Sequence, residues 1–122
     1  MLRDGADIVD RLCIAQLKAE RIGTTETRKE FRDFWEGLFT HIIMFPNIRW
    51  WKIINELYEI HRTIWDLESD VRQAKLDNDV AEVGRRAILI RDWNKKRVAL
   101  KNFINSSIGE GNIDVKQSHA SE

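Results

Sequence analysis

Residues 53–74 read IINELYEIHRTIWDLESDVRQA, and their apolar side chains recur at alternating spacings of four and three residues. The repeat consists of Ile53, Leu57, Ile60, Ile64, Leu67, Val71 and Ala74. Apolar residues at these spacings line one side of an α-helix, whereas in a strand they would fall on both faces. The segment therefore predicts a long helix that packs against other helices, with a heptad pattern typical of a coiled coil.

Two shorter helices are predicted before this one. The first covers about residues 7–22, with Asp4 or Asp7 as its N-cap and a glycine at its end. The second covers about residues 24–45 and carries a broad apolar face that is rich in Phe and Trp. Pro46 ends it, because proline lacks an amide hydrogen and disfavours helical geometry in the residue before it.

The long helix and its successor are predicted to form a hairpin. With Asn47 as its N-cap, the third helix extends to about Leu76, and the polar residues 77–79 follow it. So short a connection forces the fourth helix, about residues 80–107, to run back along the third. The predicted fold is all-α, a long antiparallel helical hairpin packed with two shorter N-terminal helices in a four-helix arrangement.

Length and composition indicate one globular domain. The chain has 122 residues, of which 43% are apolar and 33% are charged, with one proline and six glycines. These values exclude a disordered, collagen-like or disulfide-stapled protein. We predict a single helical domain over residues 1–108 and a flexible tail over residues 109–122. Twenty basic residues balance twenty acidic ones, so the overall charge indicates neither nucleic acid nor an anionic membrane as a partner.

The sequence offers no sign of export or of cofactor chemistry. Cys13 is the single cysteine and lies on an apolar helical stretch, which predicts a buried, unreactive thiol in a reducing, cytoplasmic setting. No continuous apolar run predicts a signal peptide or a membrane span. The histidines His41, His61 and His119 lack the spacing of a metal site, and no phosphate-binding or nucleophile motif is present. We therefore predict no catalytic residue, no metal and no cofactor.

The fourth predicted helix is less regular than the third. Its apolar strip passes Ile90, Trp93 and Leu100, and Asn94 and Arg97 lie at or beside it. Polar side chains in a helical seam need partners, and two interpretations stay open. In the first, they fix the register of the packed helices. In the second, they line a cleft for an anionic ligand, as in enzymes of the chorismate mutase type.

The same helix contains a basic segment within a neutral chain. Against the single acid Asp92, residues 85–101 contain Arg85, Arg86, Arg91, Lys95, Lys96, Arg97 and Lys101. Pairing with acidic residues of the third helix is one use of this charge, although exposed pairs contribute only about 0–1 kcal/mol each. Binding of nucleic acid or phosphate is the alternative, and it would weaken steeply with salt.

Three stretches carry a resemblance to a family of small uncharacterised bacterial proteins, a domain of unknown function. Residues 7–22, DIVDRLCIAQLKAERI, resemble the family's opening helix, which typically reads ELIDKITILEIKLERI. Residues 94–101, NKKRVALK, are similar to NDRRAALK, and residues 57–60, LYEI, are similar to LWEI. Gln16 and Lys95 stand where the family has acids, and the segment between the first and third helices has no counterpart.

The resemblance implies an all-helical fold and confers no activity. Members are sometimes encoded near glycosyltransferase-like genes, which implies a context of cell-surface polysaccharide. The family motifs coincide with the polar seam at five positions, and we take these as candidate ligand-binding residues or as a salt-bridge network between the first and last helices. They are Asp10, Lys18, Arg21, Asn94 and Arg97.

The aromatic content predicts self-association. A small four-helix core does not easily enclose five tryptophans, which are Trp35, Trp50, Trp51, Trp65 and Trp93. We expect a homodimer that acts as a non-catalytic interaction or scaffold module, with a protein partner as a further possibility. The alternatives are nucleic-acid or phosphate binding by the basic last helix, and an enzyme with an Arg/Lys-lined helical pocket.

Overall fold

A computed structural model of the chain describes residues 4–109. Within that range the chain forms four helices and no strand: α1 Gly5–Arg21, α2 Thr25–Met44, α3 Trp50–Arg72 and α4 Val80–Gly109. The prediction of an all-α protein with four helices is confirmed for these residues. Gly109, predicted as the first residue of the tail, is the last residue of α4 and is buried. The rest of the predicted tail, residues 110–122, lies outside the described residues.

Side-chain caps begin the first two helices. Asp4 is the N-cap of α1, and its Oδ1 accepts a hydrogen bond of 2.7 Å from the Asp7 backbone N–H. Thr24 caps α2 in the same way, accepting from the Thr27 N–H at 3.2 Å. Between the two helices, Gly23 has a φ of 74° and its N–H donates to the Lys18 carbonyl, a left-handed ending that favours glycine.

The third helix is shorter than predicted at both ends. Its N-cap is Arg49, and not Asn47 as predicted, and its first residue is Trp50. The chain turns after Pro46, and the Trp50 indole N–H donates to the Phe45 carbonyl at 2.9 Å. It ends at Arg72, since Ala74 adopts a left-handed conformation with a φ of 59°. The last residue of the heptad repeat therefore lies outside the helix.

The core is built around α1, which contacts each of the other three helices. Its buried apolar residues are Ala6, Ile8, Val9, Leu12, Cys13, Ala15 and Leu17. The sequence places the core on the heptad of α3 and predicts α1 as a covering helix. The structure places α1 inside, with the inward face of α3 packed against it. The apolar spacing is visible in both helices, but the sequence contains no signal for which of them is enclosed.

Helices α3 and α4 make contacts near both of their ends. The Arg86 guanidinium of α4 lies 3.3 Å from Asp70 and donates to the Leu67 carbonyl, both near the end of α3. Near the start of α3, Lys52 and Ile53 line a common cavity with Phe103 and Ser107 of α4. Much of α4 remains exposed between these contacts.

Candidate functional site

A buried carboxylate connects three of the four helices. Asp10 of α1 is 3% exposed, and its Oδ1 lies 2.6 Å from His61 Nε2 of α3. Arg97 of α4 donates from Nε to Oδ1 at 2.9 Å and from Nη2 to Oδ2 at 2.7 Å. Lys101 Nζ lies 3.6 Å from Oδ2. We call these four residues the Asp10 network.

Helical periodicity directs these side chains inward. Asp10 lies one turn after Ala6 and three residues before Cys13, and both of these are fully buried. His61 lies four residues after Leu57 and three before Ile64 on the buried face of α3. Residues at these spacings share one face of a helix, so the same patterns that build the core place an acid opposite a histidine.

The network keeps the Asp10 carboxylate ionised inside the protein. Burial by itself raises the pKa of Asp10, but the hydrogen bonds from His61 and Arg97 outweigh it and keep the pKa well below its usual range. The charge of Asp10 is thereby matched by the bidentate guanidinium of Arg97.

The neighbouring thiol is inert. Burial first, and the charge of Asp10 second, raise the pKa of Cys13 to about 12. Within residues 4–109, its Sγ donates to the Ile54 carbonyl, at 3.6 Å. A thiol in this environment is a poor nucleophile at neutral pH, as expected for a structural, buried cysteine.

A cleft of about 370 Å³ adjoins the network between α1, α3 and α4. Apolar side chains and a set of polar and charged ones line it together. The residues are Ile14, Leu17, Lys18, His61, Ile64, Trp65, Glu68, Arg72, Asn94 and Arg97.

The structure brings four of the five predicted site residues to this region. Asp10 and Arg97 form the buried ion pair, and Lys18 and Asn94 line the adjoining cleft. Arg21 does not line it; its guanidinium pairs with Asp66 at 2.5 Å, and both side chains are exposed.

Two members of the network were not assigned to the site from the sequence. The spacing of the histidines argues against His61 as a metal ligand and predicts no other role for it, although a titratable side chain on the buried stripe of α3 signals a charged partner. The sequence predicts Lys101 as part of the basic segment, and the structure places its ammonium group near Asp10.

Most of the basic segment of α4 is engaged by neighbouring side chains. Arg85 and Arg86 both donate to Glu82, whose pKa these hydrogen bonds lower to about 2. Arg91 pairs with the adjacent Asp92 at 3.3 Å. The sequence predicts that this segment pairs with acidic residues of α3. Among the described residues, one such pair is present, between Arg86 and Asp70.

Two lysines of the segment have no acidic partner within residues 4–109. The Lys96 ammonium group lies 4.1 Å from the centre of the Trp93 ring, a cation–π contact. Lys95 is exposed. The segment therefore presents less unpaired positive charge than its composition indicates.

A separate apolar surface lies at the corner between α2 and α3. Phe39, Ile43 and Trp51 are 60%, 64% and 63% exposed. Trp51 meets Trp35 of α2 edge to face, with 5.3 Å between the ring centres. We call Trp35, Phe39, Ile43 and Trp51 the tryptophan patch. Contiguous apolar surface of this kind marks interaction sites in soluble proteins.

The described residues contain neither a cluster of metal ligands nor a membrane-spanning helix. Among residues 4–109, no three His, Cys, Asp or Glu side chains are grouped so that they would bind a metal ion. No helix in that range has the length and apolar character needed to cross a membrane. No protein-family model, curated protein or solved structure matches the chain.

Proposed function

We propose that this protein is a non-catalytic interaction module that forms a homodimer through the tryptophan patch. The observation that carries the proposal is the exposure of three large apolar side chains, Phe39, Ile43 and Trp51. Phe39 and Ile43 follow Trp35 at spacings of one and two turns on α2, and Trp51 of α3 contacts Trp35. Burying such side chains contributes roughly 1.5–3 kcal/mol each, so covering the patch favours association.

The geometry of α2 explains why its own chain leaves the patch uncovered. Leu38 is the residue of α2 that is fully buried. At 3.6 residues per turn, Phe39 and Ile43 lie roughly 100° and 140° around the helix from Leu38. A helix packed over Leu38 cannot also cover them. The apolar face of α2 is thus wider than one neighbouring helix needs.

The distribution of charge supports the same surface. Residues 37–48 contain no Asp, Glu, Lys or Arg, although 33% of the chain is charged. The fully buried part of a protein interface is depleted in charge and enriched in aromatic residues and Met. The same surface on a second copy meets these requirements, because a two-fold interface pairs a patch with itself.

Light scattering on the purified chain tests the proposal. At tens of micromolar we expect a mass of twice the 14.4 kDa chain. The double variant Phe39→Glu/Ile43→Glu should be monomeric, because it would bury two charges at the interface. The control Ile88→Glu replaces an exposed apolar residue of α4 and should remain dimeric, with unchanged circular dichroism in all three proteins. A monomeric wild-type protein would exclude the proposal.

Nucleic-acid binding by the basic segment is the weaker candidate. The binding of phosphates requires cations that are free to replace counterions. Arg85, Arg86 and Arg91 each have an acidic partner close by, and Arg97 and Lys101 face Asp10. Self-association is therefore better supported than nucleic-acid binding.

We further propose a scaffold role for the hairpin, a family and a cellular location. The first is that α3 and α4 serve as an antiparallel hairpin scaffold, which the contacts near both of their ends support. The second is membership in the helical family that residues 7–22 and 94–101 resemble. The third is a cytoplasmic location, in keeping with a single free and buried Cys13.

A further inference from the structure

The geometry points to a second site, in which the cleft beside the Asp10 network binds a small oxyanion attached to a flat apolar group. Aromatic carboxylates and aryl phosphates are the two forms of this chemistry. The site lies outside the tryptophan patch and does not depend on the proposed dimer.

The cleft joins an apolar side to a polar one. Ile14, Leu17 and Ile64 supply aliphatic surface, and Trp65 adds an aromatic ring. The Arg72 guanidinium lies 5.3 Å from the centre of that ring. The lining is divided about evenly between polar and apolar surface, so it can contact both parts of a ligand that has a polar and an apolar end. A flat apolar body fits the apolar side of the cleft and an oxyanion the polar side.

Two polar side chains at the cleft are weakly engaged by the described part of the chain. Asn94 is half-buried, yet its side chain makes no hydrogen bond within residues 4–109. Lys18 lies 3.7 Å from Glu30, longer than a good hydrogen bond. An amide without a partner and an ammonium group with only a distant carboxylate line the same space, and both can donate to an oxyanion.

His61 supplies a third open atom. It is 8% exposed and uses Nε2 for Asp10, so only Nδ1 remains. Within the described residues, the one fully enclosed side-chain nitrogen or oxygen without a partner is His41 Nδ1. His61 Nδ1 also has no partner there and is therefore not enclosed. His61 also lines the cleft. With Nε2–H donating to Asp10, a neutral His61 leaves Nδ1 as an acceptor, which suits the hydroxyl of a singly ionised aryl phosphate.

The charges around the cleft favour an anion. Lys18, Arg72 and Arg97 are cationic, and Glu68 is the carboxylate that lines the space with them. Asp10 does not line it, and both of its oxygens are occupied by the network. The acidic partners of these cations are Glu30, Glu68 and Asp10, and Lys101 also lies beside Asp10. Four cations and three carboxylates therefore surround the cleft, so an entering anion meets an excess of one positive charge.

Titration of the isotope-labelled full chain with four probes tests the inference. The probes are benzoate, phenyl phosphate, inorganic phosphate and phenol. We expect saturable shifts of the Asn94 side-chain amide and the Trp65 indole with benzoate, with phenyl phosphate or with both, which identifies the preferred oxyanion. Inorganic phosphate and neutral phenol should bind at least about tenfold more weakly, because each lacks one half of the ligand. Equal binding of phenol, or no saturable shift with either aromatic anion at millimolar concentration, would overturn the inference.

Two variants separate the site from nonspecific binding. Asn94→Leu should weaken the aromatic anion about tenfold or more, since it removes a hydrogen bond to a charged group. Asn102→Leu makes the same change at an exposed position of α4 outside the cleft and should bind as the wild type does. Lys18→Met provides a second test that does not depend on the folding of the Asn94 variant. Wild-type affinity in either cleft variant would refute the assignment.

Discussion

Helices α1 and α4 differ in how many of their residues are buried. Nine of the 17 residues of α1 are buried, whereas α4 has 30 residues and two of these are buried, Ile104 and Gly109. The shorter helix is enclosed by three neighbours, and the longer one lies along the outside. We therefore expect side chains of α1 to contribute more to the stability of the fold than those of α4, which leaves apolar and charged surface exposed.

Asp10→Ala should cause the largest loss, because it removes the carboxylate that connects α1 to α4. The change leaves the charge of Arg97 half-buried without its partner, and breaking a buried ion pair costs about 3–5 kcal/mol. Urea denaturation at a fixed protein concentration measures it. A loss below about 1 kcal/mol would mean that the network does not stabilise the packing of α1 against α4.

A matched pair of truncations compares a buried side chain of α1 with an exposed side chain of α4. Leu12→Ala in α1 removes a side chain that is 1% exposed and should cost about 2–5 kcal/mol. Ile88→Ala in α4 starts from 53% exposure and should change the free energy of unfolding by less than about 0.5 kcal/mol. Similar losses in both variants would contradict the division between an enclosed helix and an outer one.

Acid should weaken the connection between the two helices. The pKa of Asp10 is lower in the folded protein than in the unfolded chain. Its contribution is thus complete above the unfolded value of about 4 and is lost as the pH falls through the lower folded value. Asp10→Asn, which has no carboxyl group to protonate, should show a flatter loss of stability below about pH 4. Parallel pH profiles for the two proteins would show that other carboxylates account for the acid sensitivity.

The smallest changes in stability are expected from alanine substitutions at two glycines. A methyl group at Gly84 of α4 would meet no atom within 4 Å, so Gly84→Ala should stabilise the protein by up to about 1 kcal/mol. At Gly5 of α1, the same group would overlap Ile108 Cδ1, and it would lie 3.4 Å from His41 and 3.5 Å from Trp50. Gly5→Ala should therefore stabilise the protein less than Gly84→Ala does, or destabilise it. Thermal unfolding of both variants measures the difference, and an equal gain would contradict close packing around α1.

Most of the secondary structure could be predicted from the sequence because its signals are local. Pro46 and the residues after Thr24 determine where α2 lies, and the spacing in residues 53–74 predicts α3. The start of α3 at Trp50 could not be predicted, since it depends on a hydrogen bond from the indole to Phe45. The enclosure of α1 also depends on contacts between distant segments, which periodicity alone does not specify.

The candidate site was predictable in part. Asn94 and Arg97 interrupt an apolar strip, and Asp10 lies on one, so each signals a need for a partner. Which residues pair is decided by tertiary contacts across 51 and 87 residues of sequence, from Asp10 to His61 and to Arg97. No local pattern encodes such a pairing.

A spin-label measurement at Thr40 tests whether two copies meet at the tryptophan patch. This exposed residue lies between Phe39 and Ile43, and Thr40→Cys can be labelled selectively because Cys13 is buried and has a pKa of about 12. We predict a dipolar coupling between the labels of two copies that disappears when Phe39→Glu is added. A dimeric sample without coupling at Thr40, but with coupling at a label on Ile88→Cys, would place the interface elsewhere and contradict the account.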